Sequence, residues 1–140
     1  MACYLRASGA GFNVDAFLAE SSLTWDPTWR RGDRRRVRRS GQPEHRADSG
    51  VAAEAGRGDE LASQVVAVSE FLSANADEVA RLVGFPGVEG ACLDFGVYWA
   101  EDSAARFFRF PVSLLRLIAS LGLELELSVY HLREPDQHPG

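Results

Sequence analysis

Apolar and polar residues alternate along three segments of the chain, and this period of two predicts strands that are each buried on one face. The segments are residues 2–8, 90–100 and 123–132, and the last of them, LELELSVYHL, alternates most regularly. Its odd positions are apolar, so we expect them to face the core. Glu124 and Glu126 then point to the opposite side of the sheet.

Apolar residues at helical spacing predict four amphipathic helices between and beside these strands. The first is short, and Asn13 is a suitable N-cap for it. The clearest helix begins near Asp59, and the sequence NADE at 75–78 indicates a second N-terminus directly after it. The fourth follows Pro111 and stops at Gly122.

Two weaker segments complete the predicted sheet. ARFFRF at 105–110 is expected to return beside residues 90–100 as a hairpin strand, and SGVAAEAG at 49–56 as a short edge strand. This order of elements predicts the α+β class, as a two-layer sandwich with a mainly antiparallel sheet and helices on one face. A ferredoxin-like arrangement, with the hairpin beside the last strand, is compatible with this order.

The length of 140 residues suits one domain spanning 1–140, with an irregular arginine-rich loop at about 33–50 and a polar tail at 133–140. The net charge is −5, yet seven of the 15 basic residues, all arginines, fall within residues 30–39. Without these seven and Asp33, 8 basic residues remain against 19 acidic ones, a net charge of −11. A small cationic segment is therefore attached to an acidic body.

The arginine-rich segment has two interpretations. It could neutralise phosphates of a nucleic acid while Trp25 and Trp29 stack on bases. The acidic body would oppose that binding, so we favour a solvated loop that partly folds back onto acidic sheet residues. Pro27 and Gly32 predict a turn of fixed shape just before it, in which the tryptophans either plug the end of the core or contribute to docking.

Candidate catalytic and metal-binding residues are few. The three histidines lack metal-ligand spacing, and Cys3 and Cys92 lie in strand-like runs, where we expect both to pack in the core. Asp94, Glu124 and Glu126 share the outward face of the sheet, so a carboxylate-dependent enzyme stays open as the weakest alternative. No phosphate-loop, dinucleotide or nucleophile-elbow motif occurs, and we expect no cofactor and no enzymatic activity.

The cellular location is inferred from the lack of membrane-spanning, export and disulfide patterns in the sequence. No apolar run approaches the ~20 residues that a membrane span requires, and the N-terminal residues do not resemble an export signal. Two cysteines are too few for a disulfide framework. We therefore expect a cytoplasmic protein that does not bind membranes.

The order of these motifs resembles an uncharacterised bacterial domain-of-unknown-function family. The matching residues are FNVDAFLAES, then Pro27, Trp29, Gly32 and Asp33, then SGVAAEAGRGDELASQVVAVSEFL, and finally FPVSLLRLIASLGLELELSVY. The likeness spans about residues 2–130, and Val51 departs from it where an aromatic residue is expected. Some members look like small immunity or accessory proteins, so the resemblance implies a protein partner.

The leading hypothesis is a non-enzymatic protein that binds another protein, with an arginine-rich nucleic-acid accessory protein as the alternative. Tyrosine, tryptophan and arginine are enriched at interface hot spots. The candidate binding residues combine the polar–aromatic sheet face with the turn before the arginine block: Trp29, Arg30, Arg31, Asp94, Tyr98, Glu124, Glu126 and Tyr130. A homodimer through an uncovered sheet edge is a further alternative.

Overall fold

The chain alternates strands and helices as the sequence periodicity suggests. A computed structural model describes residues 1–35, 44–100 and 104–131, so the polar tail predicted at 133–140 lies outside the described residues. The described residues form, in chain order, β1 (Ala2–Gly9), α1 (Val14–Ala19), β2 (Thr28–Trp29), β3 (Ser49–Arg57), α2 (Leu61–Ala74), α3 (Ala76–Val83), β4 (Gly90–Trp99), α4 (Val112–Ser120) and β5 (Glu124–His131).

The five strands form one mixed sheet in the order β2-β3-β1-β4-β5. β1 lies at the centre and pairs antiparallel with both β3 and β4, while β4 and β5 run parallel. The parallel pair requires a crossover, which α4 supplies. The predicted α+β class, with a mostly antiparallel sheet, is therefore confirmed.

The core lies between the helices and one face of the sheet. β1 contributes Cys3 and Leu5 to it, and β4 contributes Leu93 and Phe95, all of them fully buried. α2 packs closely against β3 because Gly56 has no side chain: a Cβ there would come within 2.9 Å of Val68 Cγ2. The apolar stripe that predicted this helix is thus the stripe that is buried.

The helix boundaries agree with the capping signals only in part. The Asn13 side chain accepts a hydrogen bond from the Ala16 N–H at 3.1 Å, which confirms it as the N-cap of α1. The break between α2 and α3 also falls at Asn75, as expected. However, the Asn75 side chain donates to the Phe71 carbonyl and does not cap α3.

The predicted hairpin strand at 105–110 is wrong. Residues 105–111 have no regular structure, and the chain proceeds through α4 to place β5 beside β4. The aromatic alternation has another cause: Phe108 and Phe110 pack against the core, and the Phe110 ring contacts Phe95 with 5.2 Å between centroids. The ferredoxin-like arrangement, which needed a hairpin beside the last strand, is therefore not formed.

The segment predicted as a short edge strand is also different. β3 is nine residues long and lies between β1 and β2. Ala52, Ala53 and Ala55 are almost fully buried: Ala53 and Ala55 belong to the core, and the backbone of Ala52 is hydrogen-bonded to the chain leading into β2. Because the side chains of β3 are small, its hydrophobic pattern is weak even though most of the strand is buried.

β5 has the predicted alternation but is an edge strand. Leu125 lies beside the buried Leu93, on the side that faces the helices, yet 38% of it is exposed, and Val129 is 47% exposed. The expectation that these two residues are interior is therefore wrong. Glu124 and Glu126 are exposed, as predicted.

Candidate binding face

The sheet face that the helices leave uncovered, here called the open face, is built by alternate residues of three neighbouring strands. In the register, Tyr4 is paired with Asp94 and Asp94 with Glu126, while Tyr98 is paired with Tyr130. Because successive side chains point to opposite faces, these residues share one surface. On these three strands its members are Tyr4, Arg6, Ser8, Cys92, Asp94, Gly96, Tyr98, Glu124, Glu126, Ser128 and Tyr130, and β3 and β2 continue the same face as far as Trp29.

An ion-pair network occupies the middle of the open face. Arg6 Nη2 donates to Asp94 Oδ2 at 2.9 Å and to Glu126 Oε2 at 3.0 Å. Asp94 also accepts a hydrogen bond from Ser128 Oγ at 2.6 Å, and only 13% of its side chain is exposed. Burial acts to lower the pKa of Arg6, but neighbouring negative charge, chiefly that of Asp94, raises it overall. The network fixes these side chains in place.

Three tyrosines surround a hollow at one end of the open face. Tyr4, Tyr98 and Tyr130 are 38%, 40% and 51% exposed. They line a depression of about 460 Å³ together with Gly96, which has no side chain to fill it. Large amphipathic rings that remain half exposed are a feature of binding surfaces.

A groove of about 520 Å³ lies at the other end of the open face, with Arg6 and Cys92 among its lining residues. On the β2 side it is lined by Trp29, Arg35 and Arg46, and on the β5 side by Glu124 and Glu126. Among the described residues no ion pair joins the two sides. Asp48 also lines the β2 side, so the two arginines leave that wall with a net positive charge, while the opposite wall is negative.

The basic wall belongs to a two-stranded ribbon, here called the arm, formed by residues 30–35 and 44–48. Gly32 N–H donates to the Arg46 carbonyl at 2.8 Å, and Arg46 N–H donates to the Asp33 carbonyl at 2.7 Å. Gly32 has a φ of 91°, a conformation that favours glycine. Within the loop predicted at about 33–50, the backbone is thus hydrogen-bonded up to residue 35 and again from residue 44, while residues 36–43, with three of the arginines, lie outside the described residues.

The two tryptophans lie on opposite faces of the sheet. Trp25 is 8% exposed and packs on Phe17 in the core, which agrees with a plug at the end of the core. Trp29 instead lies on the open face, where its Nε1–H donates to Asp48 Oδ1 at 3.0 Å. The Arg46 guanidinium covers the Trp29 ring, 4.8 Å from its centroid.

The other residues of the predicted set divide between the open face and the arm. Asp94, Tyr98, Glu124, Glu126 and Tyr130 lie on the open face, as predicted. Arg30 does not, because its guanidinium donates to Asp15 Oδ1 beyond the sheet at 2.6 Å. Arg31 is exposed on the arm, held through its backbone N–H to Ser49 Oγ, and is not among the residues that line the groove.

Sequence reasoning did not include Arg6, Arg35 or Arg46 among the candidate protein-binding residues, although Arg35 belonged to the segment considered for nucleic-acid binding. The strand alternation already placed Arg6 on the same face as Tyr4, so its position was available from the pattern. Arg46 carries no local signal, since only the folding of the arm brings it over Trp29, 17 residues earlier in the chain.

The two cysteines are unpaired and differ in environment. Cys3 is fully buried beneath the helices, and burial strongly raises the pKa of its thiol. Cys92 lies on the open face instead of in the core, which corrects the expectation from its strand-like context. Burial raises the pKa of Cys92 as well, more than the nearby Arg6 lowers it.

The described residues contain neither a metal-ligand cluster nor a membrane-spanning helix. No group of three or more histidine, cysteine, aspartate or glutamate side chains in these residues is arranged to hold a metal ion. In the same residues, no helix combines the length and apolar character needed to cross a bilayer.

The fold and the site together define a small α+β protein with one helix-covered sheet face and one open polar–aromatic face. The chain belongs to the family described as Domain of unknown function (DUF4279), whose model matches residues 1–132. The resemblance to an uncharacterised domain-of-unknown-function family is thus confirmed. No curated protein and no solved structure matches the chain.

Proposed function

We propose that this protein is a non-enzymatic binding protein whose open face docks a segment of another protein. The observation that carries the proposal is the combination of half-exposed tyrosines at one end of the face with a charged groove at the other. Tyrosine and arginine are the residue types that contribute most at protein interfaces. An immunity or accessory role is the form of this proposal that the family resemblance suggests.

The charges along the groove indicate which side chains the partner segment would carry. An acidic side chain of the partner would lie near Arg35 and Arg46, and a basic one near Glu124 and Glu126. Apolar or hydroxyl-bearing residues would fill the hollow above Gly96, between the tyrosine rings. Such complementary charge gives specificity and orientation more than affinity.

Two observations favour protein over nucleic acid as the partner. Trp25 is buried, and the Trp29 ring lies against Gly50 and beneath the Arg46 guanidinium, so a base that stacked on the face under Arg46 would have to displace that side chain. The acidic wall formed by Glu124 and Glu126 would also repel phosphates that approach Arg35 in the groove.

The open face also supports binding over catalysis. Arg6 lies between Asp94 and Glu126 and bonds to both, so these carboxylates do not form the close acid–base pair that hydrolytic chemistry uses. We include a cytoplasmic location in the proposal, because Cys3 and Cys92 are both free thiols and reduced thiols are usual in that compartment.

Site-specific photo-crosslinking in the producing cells tests the proposal. A photoreactive phenylalanine analogue is placed at Tyr98 or Tyr130, and at Val66 as a control, since Val66 is 60% exposed on α2 and far from the open face. We expect one protein to be captured from Tyr98 and Tyr130 but not from Val66. Capture that is equal at all three positions, or none at all, would overturn the proposal.

The captured protein is then purified and titrated calorimetrically against variants. Tyr98→Ala and Tyr130→Ala should each weaken binding by about ten-fold or more, as hot-spot truncations do. Val66→Ala should leave the affinity unchanged, and circular dichroism would verify that each variant is folded. Retained affinity in both tyrosine variants would contradict the assignment of the open face.

A generic oligonucleotide provides the test of the alternative partner. Fluorescence anisotropy at low and moderate salt should detect no tight binding. Sub-micromolar binding that falls steeply with salt and is lost in Arg34→Ser/Arg35→Ser would instead assign the arm to nucleic acid.

A further inference from the structure

β5 is the last strand of the sheet, and no strand among residues 1–35, 44–100 and 104–131 pairs with its outer side. Among the residues that the structure describes, β5 pairs only with β4. Parallel strands are normally buried on both sides, but Leu125 and Val129 are 38% and 47% exposed. A long strand with free backbone groups and exposed apolar side chains invites pairing with another strand.

We propose that a second copy of this chain pairs with β5, antiparallel to it, about a two-fold axis that passes beside Leu127. The two sheets would then join into one continuous sheet of ten strands. In such an isologous contact each residue of one copy meets its counterpart in the other, so the strand must be complementary to itself.

The side chains of β5 meet this requirement in one register. With the axis at Leu127, Leu125 is directly opposite the partner's Val129, so the two most exposed apolar side chains on the helix-facing side of the strand cover each other. On the open face, Glu126 is opposite the partner's Ser128. Apolar cross-strand pairs stabilise a sheet, and no like charges meet in this register.

The neighbouring registers are less complementary. In an antiparallel pair, directly opposite side chains point to the same face of the sheet. The two-fold axis must therefore pass beside a residue, and the alternative registers place it beside a different residue of β5. An axis at Glu126 would place this carboxylate directly opposite its own symmetry mate, which is destabilising. An axis at Ser128 would leave Leu125 opposite the partner's His131 and lose the apolar pair.

The opposite edge of the described sheet begins with a much shorter strand. β2 is only two residues long, and the charged arm continues directly from it. Short strands and nearby charge are the usual means by which proteins protect an edge. α4, the helix that contacts β5, also exposes Val112 and Leu115, which adds apolar surface to this part of the molecule.

Sedimentation equilibrium of the full chain tests the association. We expect a mass of twice 15.3 kDa across the micromolar range. Leu125→Lys/Val129→Lys would place like charges opposite each other twice, and should weaken the dimer by about ten-fold or more. Val66→Lys makes the same kind of change on α2 and should leave the dimer intact.

A cysteine introduced at the axis tests the register. In a Cys92→Ser background, Leu127→Cys places two thiols at directly opposed positions, where backbones about 5 Å apart permit a disulfide. Mild oxidation should therefore link the two copies. Val129→Cys is the matched control, because its counterpart would be about 13 Å away along the strands and should not be linked.

A monomeric mass at all concentrations, or a dimer that withstands the double lysine substitution, would overturn the proposal. Equal linking of Val129→Cys and Leu127→Cys would overturn the register and with it the proposed two-fold axis. These results are independent of partner binding, because the double lysine variant leaves every residue of the open face unchanged.

Discussion

The indole ring of Trp29 lies directly against Gly50 of the adjacent strand. A Cβ at position 50 would come within 2.2 Å of Trp29 Cζ2 and within 2.7 Å of the Ala7 carbonyl oxygen. Only glycine permits the ring to lie there, since one of the two contacts is backbone. Because Gly50 of β3 has no side chain, Trp29 can lie against the sheet and form part of the basic wall of the groove.

Gly50→Ala should displace Trp29 from the sheet and lower the free energy of unfolding by about 1–3 kcal/mol, as overpacking does. Urea denaturation followed by circular dichroism measures the loss, and a changed tryptophan emission spectrum would report the displaced ring. Gly11→Ala is the matched control, because a Cβ there has no atom within 4 Å. If both variants are as stable as the native protein, the close contact between Trp29 and Gly50 is contradicted.

A buried amide provides a pH-dependent test of the core. Gln64 is fully buried, and its Nε2 donates to the carbonyl oxygens of Gly58 and Gly96 at 3.0 and 2.7 Å. Gln64→Glu replaces this donor by a carboxyl group, whose charged form is strongly disfavoured between carbonyl oxygens. Its folded pKa should therefore rise above the unfolded value of about 4.3.

The sign follows from proton linkage. A raised folded pKa means that the folded variant retains a proton that the unfolded chain releases, so its stability falls as pH rises above about 4.3. Relative to the native protein, Gln64→Glu should lose about 2 kcal/mol more at pH 7 than at pH 5. Gln64→Met, measured in the same way, should show a loss that does not change with pH. A pH-independent loss for Gln64→Glu would contradict the buried contacts of this side chain.

The two leucines paired across β4 and β5 should respond very differently to a charge. Leu93 is fully buried, so Leu93→Asp should prevent folding. Leu125 was expected from the sequence to face the core, but it is 38% exposed, and Leu125→Asp should cost only about 1–2 kcal/mol in the monomer. Thermal unfolding of both variants measures the contrast, and an unfolded Leu125→Asp chain would contradict the edge position of β5.

That contrast shows which part of the fold alternation can predict. Alternation with a period of two indicates which side chains lie on the same face of a strand. Here it correctly placed Leu125 and Glu126 on opposite faces of β5. Alternation does not indicate which strands become neighbours, so neither the edge position of β5 nor the crossover through α4 had a local signal. The error at 105–110 has the same origin, because Phe108 and Phe110 alternate to reach the core without belonging to a sheet.

The candidate site was predictable to a similar degree. The strands placed Asp94, Tyr98, Glu126 and Tyr130 on one face by periodicity alone. The contact between Arg6 and Glu126 joins residues 120 positions apart, and only the sheet order brings them together. The arm could not be predicted, because its backbone hydrogen bonds leave no apolar periodicity in the sequence.

Cys92 should react slowly with iodoacetamide, and its reaction should accelerate as pH rises from 7 to 9. Burial raises the pKa of this thiol, so little of it is thiolate at neutral pH, and thiolate is the reactive form. The carboxylate of Glu126 adds to the increase, so Glu126→Gln should lower the pKa and speed labelling at pH 8 by about three-fold. Glu70→Gln on the exposed side of α2 should leave the rate unchanged, and mass spectrometry should find the buried Cys3 unlabelled until the protein unfolds. A labelling rate that does not change with pH, or that is equal in the two glutamine variants, would contradict the inference that Glu126 raises the pKa of Cys92.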